Sequence, residues 1–167
     1  MERCAVWGCN DAGIKVCGGA RPYIAWNSVF DGRCAGIYLC DDGTAGVVAD
    51  NDVRGNLGAG IVVSNGASPL VERNRVYGGG AAGILVLHRG TGGVVTHNEV
   101  YDNEGAGCEV CFGADPRIED NVLRDGRSFG LVISGIGTRG RLSGNRLVNN
   151  RVGDMDVCDG AAPLFLD

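Results

Sequence analysis

Six asparagines stand on a nearly constant ruler: Asn27, Asn51, Asn74, Asn98, Asn121 and Asn145, separated by 24, 23, 24, 23 and 24 residues. A period of this length, held along a whole chain, is the signature of a solenoid. Each repeat is one supersecondary unit that buries its apolar face only by stacking on its neighbours. One period before Asn27 the slot holds Cys4.

Other columns keep the same ruler. Three residues before the Asn stand Ile24, Val48, Val71, Val95, Ile118 and Leu142, and two after it Val29, Val53, Val76, Val100, Leu123 and Leu147. Ten after it stand Ile37, Ile61, Ile84, Cys108, Leu131 and Met155, and twelve after it Leu39, Val63, Val86, Val110, Ile133 and Val157. The last two columns alternate with another residue between them, the period-2 pattern of a strand with one face turned inward. Each repeat therefore holds three short strands, around "GIVVS", "PLVER" and "RVY" in one copy, with turns of Gly, Asn, Asp and Pro between them. The pattern predicts an all-β fold: a right-handed parallel β-helix of about seven coils, stacked at ~4.8 Å, with the Asn column as an amide ladder. Asn suits a corner because it tolerates left-handed backbone and bonds locally.

A second period of 47 residues overlies the first. Five before the Asn, Pro22, Pro69, Pro116 and Pro163 alternate with Gly46, Gly93 and Gly140. Five after it, Gly32, Gly79 and Gly126 alternate with Asn56, Asn103 and Asn150. Coils thus come in pairs with two turn solutions, proline presetting φ in one and glycine permitting an unusual backbone in the other.

Composition fits this architecture. The 167 residues include 30 Gly and few aromatics, and 44% are hydrophobic. A chain of this length is one domain's worth, and residues 1–167 read as a single β-helix domain. The net charge of −5 disfavours nucleic acid as a partner, because phosphate contacts need a concentrated positive face. No apolar run reaches transmembrane length, so no membrane association is expected. The opening "MERCAVWGCNDAG" holds no signal-peptide core. The eight cysteines lack the tight spacing of a small disulfide scaffold, which points to a reducing, cytoplasmic compartment.

Alternating "PxIxxN" and "GxxxxN" coils, each followed by "GIxV", resemble the right-handed β-helix repeats of the carbohydrate-binding and sugar-hydrolase class. The resemblance extends over essentially the whole chain. It is nearest to the β-helix region of eukaryotic F-box proteins, with bacterial periplasmic members and mannuronan C5-epimerases more distant. It implies two functional styles: enzymes acting on acidic polysaccharides, and non-catalytic modules that bind protein partners along the helix wall. The F-box segment is absent. An epimerase-like Asp-Pro-His signature is also absent, since Asp115-Pro116 is followed by Arg117.

Any chemistry must sit on outward columns. The column just before the Asn holds Trp26, Asp50, Arg73, His97, Asp120 and Gly144. Neighbours one strand apart would pair Asp50 with Arg73, and His97 with Asp120. A His backed by a carboxylate is a general-base arrangement, and an Arg neutralises a substrate carboxylate; the reading these residues favour is an exposed charge ladder. His97 and Asp120 are the catalytic candidates. The outward column eleven after the Asn contains Tyr38, Val62 and Leu85, an apolar stripe that reads as a protein-partner contact. His88 reads as a turn residue stacked between Asn65 and Phe112. Cys108 and Cys111 form a CxxC on a strand with no second pair to complete a zinc site, so neither metal nor cofactor is expected. Remaining aromatics read as few and scattered.

Both ends of such a helix are strand edges, and "GAAPLFLD" enters an eighth coil. The expectation is a fragment of a longer protein, or ends that stack on partners. The first functional reading is a non-catalytic scaffold or recognition module for a protein partner. The alternative is a polysaccharide-binding or polysaccharide-modifying domain.

Overall fold

Three parallel seven-stranded sheets wind through the computed structural model, which describes residues 1–166. Each coil gives one strand to each sheet. The first wall follows the Asn column: Ala5–Trp7, Ser28–Phe30, Asp52–Arg54, Arg75–Tyr77, Glu99–Tyr101, Val122–Arg124 and Arg146–Val148. The second wall holds Ile14–Val16, Ile37–Cys40, Ile61–Ser64, Ile84–Leu87, Cys108–Cys111, Phe129–Ser134 and Gly153–Cys158. The third wall holds Tyr23–Ala25, Val47–Ala49, Leu70–Glu72, Val94–Thr96, Arg117–Glu119, Arg141–Ser143 and Leu164–Phe165. The strands pair one period apart, Val76 opposite Val53 and Val100, and Val63 opposite Leu39 and Val86. This is the right-handed parallel β-helix the columns predict, and the described residues contain no helix long and apolar enough to cross a membrane.

The four apolar columns line the interior. Ile37, Leu39, Val48, Val53, Ile61, Ile84 and Ile118 are completely or almost completely buried in one continuous core. Burial relaxes at the last coil, where Val157 is 41% exposed and Phe165 58%.

The Asn column forms the ladder, by a different local geometry from the one expected. The asparagines do not take left-handed backbone. The residue before each does: Trp26 (φ 54), Asp50 (φ 55), Arg73 (φ 51), His97 (φ 55) and Asp120 (φ 53). That residue turns the corner and leaves the Asn side chain pointing inward. In each rung the Asn Oδ1 accepts from the backbone N–H and the Nδ2 of the preceding Asn, as Asn98 does from Asn74 (2.9 and 3.0 Å). The Nδ2 also donates to a core-strand carbonyl, Asn98 to Val71 O at 2.9 Å. Buried amides are thereby satisfied at every level, which removes a desolvation cost of ~1–3 kcal/mol per group.

The two-coil period has a physical cause in two further ladders. Asn56 Oδ1 accepts from Gly32 N–H at 3.0 Å, and Asn103 Oδ1 from Gly79 N–H at 3.0 Å. A Cβ on Gly32 would lie 3.0 Å from that Asn56 oxygen, so the glycine is the space the amide occupies. At the opposite corner the buried hydroxyls of Thr44, Thr91 and Thr138 accept from Gly19, Gly66 and Gly113 N–H at 3.0, 2.9 and 2.8 Å. Gly46 (φ 101) lies against Pro22, where a Cβ would overlap the proline carbonyl oxygen; Gly93 (φ 93) repeats this on Pro69. At the third such pair the approach is looser, a Cβ on Gly140 lying 3.5 Å from Pro116 O.

Candidate functional site

The corner between the third and first walls carries the predicted acid–base column. Arg73 makes a two-point contact with Asp50 (Nε–Oδ1 3.0 Å, Nη2–Oδ2 3.1 Å) and reaches Glu72 Oε1 at 2.8 Å. Its hydrogen bonds to these two carboxylates push its pKa further up. A guanidinium held by two carboxylates has little left for a substrate anion. His97 Nε2 lies 4.0 Å from Asp120 Oδ2, both side chains more than half exposed. On its other nitrogen, Nδ1, the ring meets Thr96 Oγ1 at 2.7 Å. The positive φ of His97 belongs to its whole column and is architecture rather than a mark of this residue.

The second wall carries the apolar stripe. Tyr38, Val62 and Leu85 are in register as expected, but they are half-buried rather than exposed. The turns before each strand rise beside them, and together with Ala12, Ala35, Leu87 and His88 the stripe lines a hollow of about 250 Å³. Inside it the Tyr38 hydroxyl sits 3.0 Å from Ser64 Oγ. His88 stacks obliquely on Phe112, ring centroids 5.9 Å apart.

The eight cysteines are free thiols. Cys108 lies in the core with its thiol pushed up to about 12 by burial and then by Glu109, and Cys111 to about 11 by the same causes. Both are packing residues. Among the described residues no cluster of three or more His, Cys, Asp or Glu is placed to hold a metal ion.

The richest surface is one that sequence reading missed. On the first wall, the column three after the Asn reads Trp7, Phe30, Arg54, Tyr77, Tyr101, Arg124. These planar groups form two stacks, Trp7–Phe30–Arg54 and Tyr77–Tyr101–Arg124. Trp7 stacks on Phe30 (6.1 Å, 14°), and Arg54 lies over Phe30 at 4.3 Å. Tyr77 stacks on Tyr101 (4.7 Å, 5°), and Arg124 lies over Tyr101 at 4.3 Å. Beside the stacks runs the column one after the Asn, with Asp52, Arg75 and Glu99. Arg75 Nη2 donates to the Tyr101 hydroxyl at 2.9 Å, Arg124 Nη2 to Glu99 at 2.8 Å, and Arg54 to Asp52. The Tyr77 hydroxyl, 3.4 Å from both Asp52 oxygens, is pushed up in pKa by desolvation and then by that carboxylate. The aromatics are therefore not scattered: four of the ten share one column. The signal was available, since the column is planar at every position but Val148, but it mixes residue types and so shows no identity.

The chain matches the family described as right handed beta helix region over residues 1–76 and 47–164. It belongs to the right-handed β-helix family. No curated protein sequence matches it. Among solved structures it is similar to a periplasmic alginate epimerase, AlgG (17% identity, TM-score 0.78, 98% of this chain and 44% of that one). It is also similar to the A-module of the Azotobacter vinelandii mannuronan C-5 epimerase AlgE4 (15% identity, TM-score 0.66, 99% of this chain and 56% of that one). The chain spans about half the length of these structures, and identity this low carries the fold alone.

In this right-handed β-helix the walls divide the chemistry. The second wall presents mainly apolar side chains. The first wall and its corner gather arginines, tyrosine hydroxyls, carboxylates and His97 into one band running along the helix axis. Such a band offers hydrogen-bond donors at successive strand spacings to an elongated polar ligand.

Proposed function

We propose that this β-helix acts on an acidic polysaccharide laid along its first wall. The observation that carries the reading is the pair of stacks Trp7–Phe30–Arg54 and Tyr77–Tyr101–Arg124 on one wall, with Arg75 over Tyr77. Ring faces are spent on one another, and Arg54 and Arg124 on carboxylates of the same wall, so the wall meets a ligand with ring edges, tyrosine hydroxyls and the Arg75 guanidinium, which keeps longer contacts of 3.7 and 3.9 Å to Asp52 and Glu99. Those are groups for carboxylates and sugar hydroxyls. The alginate epimerases that share the fold favour this reading over the protein-binding scaffold expected first. The nearer likeness to F-box proteins has no counterpart in these comparisons.

His97 with Asp120 is the acid–base candidate at the adjoining corner. With Nδ1 held by Thr96 Oγ1, the His97 ring would take at Nε2 the proton α to a uronate carboxylate while Arg75 meets that carboxylate. A proton returned by solvent water to the opposite face inverts the centre, and departure of the neighbouring glycosyl oxygen gives elimination instead.

The test is a panel of alginate, pectate and neutral glucan, with binding by calorimetry and chemistry by deuterium uptake at the uronate carbon in heavy water. Binding of the acidic polymers only, weakened by Arg75→Ala, supports the reading. Equal or absent binding across the panel overturns it. His97→Asn keeps a residue that tolerates the left-handed corner; undiminished deuterium uptake in that variant removes His97 from the chemistry.

A further inference from the structure

The outward row of the second wall is self-complementary. In strand register it runs Lys15, Tyr38, Val62, Leu85, Glu109, Val132, Asp156. Leu85 is the fourth of seven. A two-fold axis through Leu85, parallel to the strands, lays a second copy on this wall with its coils running the opposite way. Lys15, the only lysine in the chain, then meets Asp156 of the second copy, at both ends of the row. Tyr38 meets Val132, and Leu85 meets Leu85. Glu109 meets Val62 at the edge of the hollow, where the Tyr38 hydroxyl, which accepts from Ser64 Oγ, can donate to it. Phe112, 68% exposed, comes over the Asn65 corner and covers the hollow's rim beside His88.

We propose that this wall is a self-association surface on which two copies of the chain pack antiparallel, centred on Leu85. One cation at one end, one anion at the other and, apart from Glu109, apolar or aromatic residues between them form a pattern whose end charges only the antiparallel arrangement pairs. A parallel face-to-face pairing would place Lys15 on Lys15 and Asp156 on Asp156. Seven strands at ~4.8 Å by about four residues at ~3.3 Å give roughly 400–450 Å² of wall per copy. Stable interfaces need about 800 Å² per partner, so the dimer is weak and concentration-dependent. The surface is separate from the first wall, and its test is independent of any polysaccharide.

Sedimentation equilibrium over a wide protein concentration range tests the proposal. The unmodified chain should show a monomer–dimer equilibrium. Lys15→Glu and Asp156→Lys should each weaken it about tenfold, since each turns two attractive contacts repulsive. An equimolar mixture of those two variants should recover the dimer, because both contacts become attractive again in the mixed pair. Leu85→Arg, with two cations meeting on the axis, should leave only monomer while circular dichroism keeps its β signature. A chain monomeric at every concentration, a dimer indifferent to Leu85→Arg, or variants that stay apart when mixed would each overturn the proposal.

Discussion

Asn74 Oδ1 accepts from both nitrogens of Asn51: its backbone N–H at 3.0 Å and its side-chain Nδ2 at 2.9 Å. The Nδ2 of Asn74 goes on to Val48 O (2.8 Å), Glu72 O (3.0 Å) and Asn98 Oδ1 (3.0 Å). One side chain thus satisfies buried groups in three successive coils. Asn74→Ala strands the Asn51 N–H in the core, at ~1–3 kcal/mol for each donor left without a partner. Denaturant unfolding should show a loss of about 3 kcal/mol. The same change at half-buried Asn145 should cost clearly less, because water reaches that end of the ladder.

Gly60 illustrates a glycine kept for space. Its φ is ordinary, yet a Cβ there would overlap Val76 Cγ1 and lie 2.8 Å from Gly83 O. Gly60→Ala should destabilise by about 1–3 kcal/mol, the range for overpacking. Adding Val76→Ala removes the side-chain overlap and leaves the carbonyl contact. The double variant should therefore recover part of the Gly60→Ala loss once the separate cost of Val76→Ala is subtracted in a double-mutant cycle. Strict additivity would show that the carbonyl alone excludes the methyl.

What could be read from the sequence follows from what the repeat constrains. Ile61, Val63, Val71 and Val76 each sit in a column whose members must all be apolar, so one period exposes the core and the strand order. Asn74 stood out for the same reason. Its backbone geometry did not: Asn's general tolerance of left-handed φ suggested the wrong residue, and Arg73 turns the corner instead. Thr44, Thr91 and Thr138 recur only every second coil, which halves their signal. Tyr77 and Tyr101 were missed because an outward column accepts any residue that packs on its neighbours. Stacking unites Trp, Phe, Arg and Tyr by shape, and a search for identical residues cannot see it. His97 and Asp120 were correctly placed as neighbours, but their exposure and 4.0 Å separation are properties of side-chain conformation that spacing does not encode.

Thiol accessibility should divide the cysteines. Cys4, Cys17 and Cys34 are exposed and should react rapidly with an aromatic disulfide near pH 8, whereas Cys40, Cys108 and Cys111 are buried and should react only on unfolding. Burial holds the Cys108 pKa at about 12, against a reference of 9.0. The folded form therefore keeps its proton where the unfolded chain has lost it. That contribution to stability is whole below pH 9 and disappears as pH rises towards 12. Cys108→Val should flatten stability over that window and leave neutral-pH unfolding little changed.

On the first wall, Arg75 and Tyr101 form a donor–acceptor pair at 2.9 Å in which the hydroxyl is the largest cause raising the Arg75 pKa. Removing either partner has different consequences. Arg75→Ala deletes a charge, so affinity for an acidic polysaccharide should fall by about 1.5–3 kcal/mol, the range for hydrogen bonds to charged groups, and its salt dependence should flatten. Tyr101→Phe keeps the stack on Tyr77 and the cover from Arg124, since both use the ring. It frees Arg75 from its hydroxyl partner. Folding stability should change by less than about 1.5 kcal/mol, and acidic-polysaccharide affinity should hold or rise while its salt dependence is retained. Calorimetry at two or more salt concentrations separates the two variants. A Tyr101→Phe variant that lost binding as completely as Arg75→Ala would mean that the hydroxyl itself meets the sugar, and that the arginine serves to aim it.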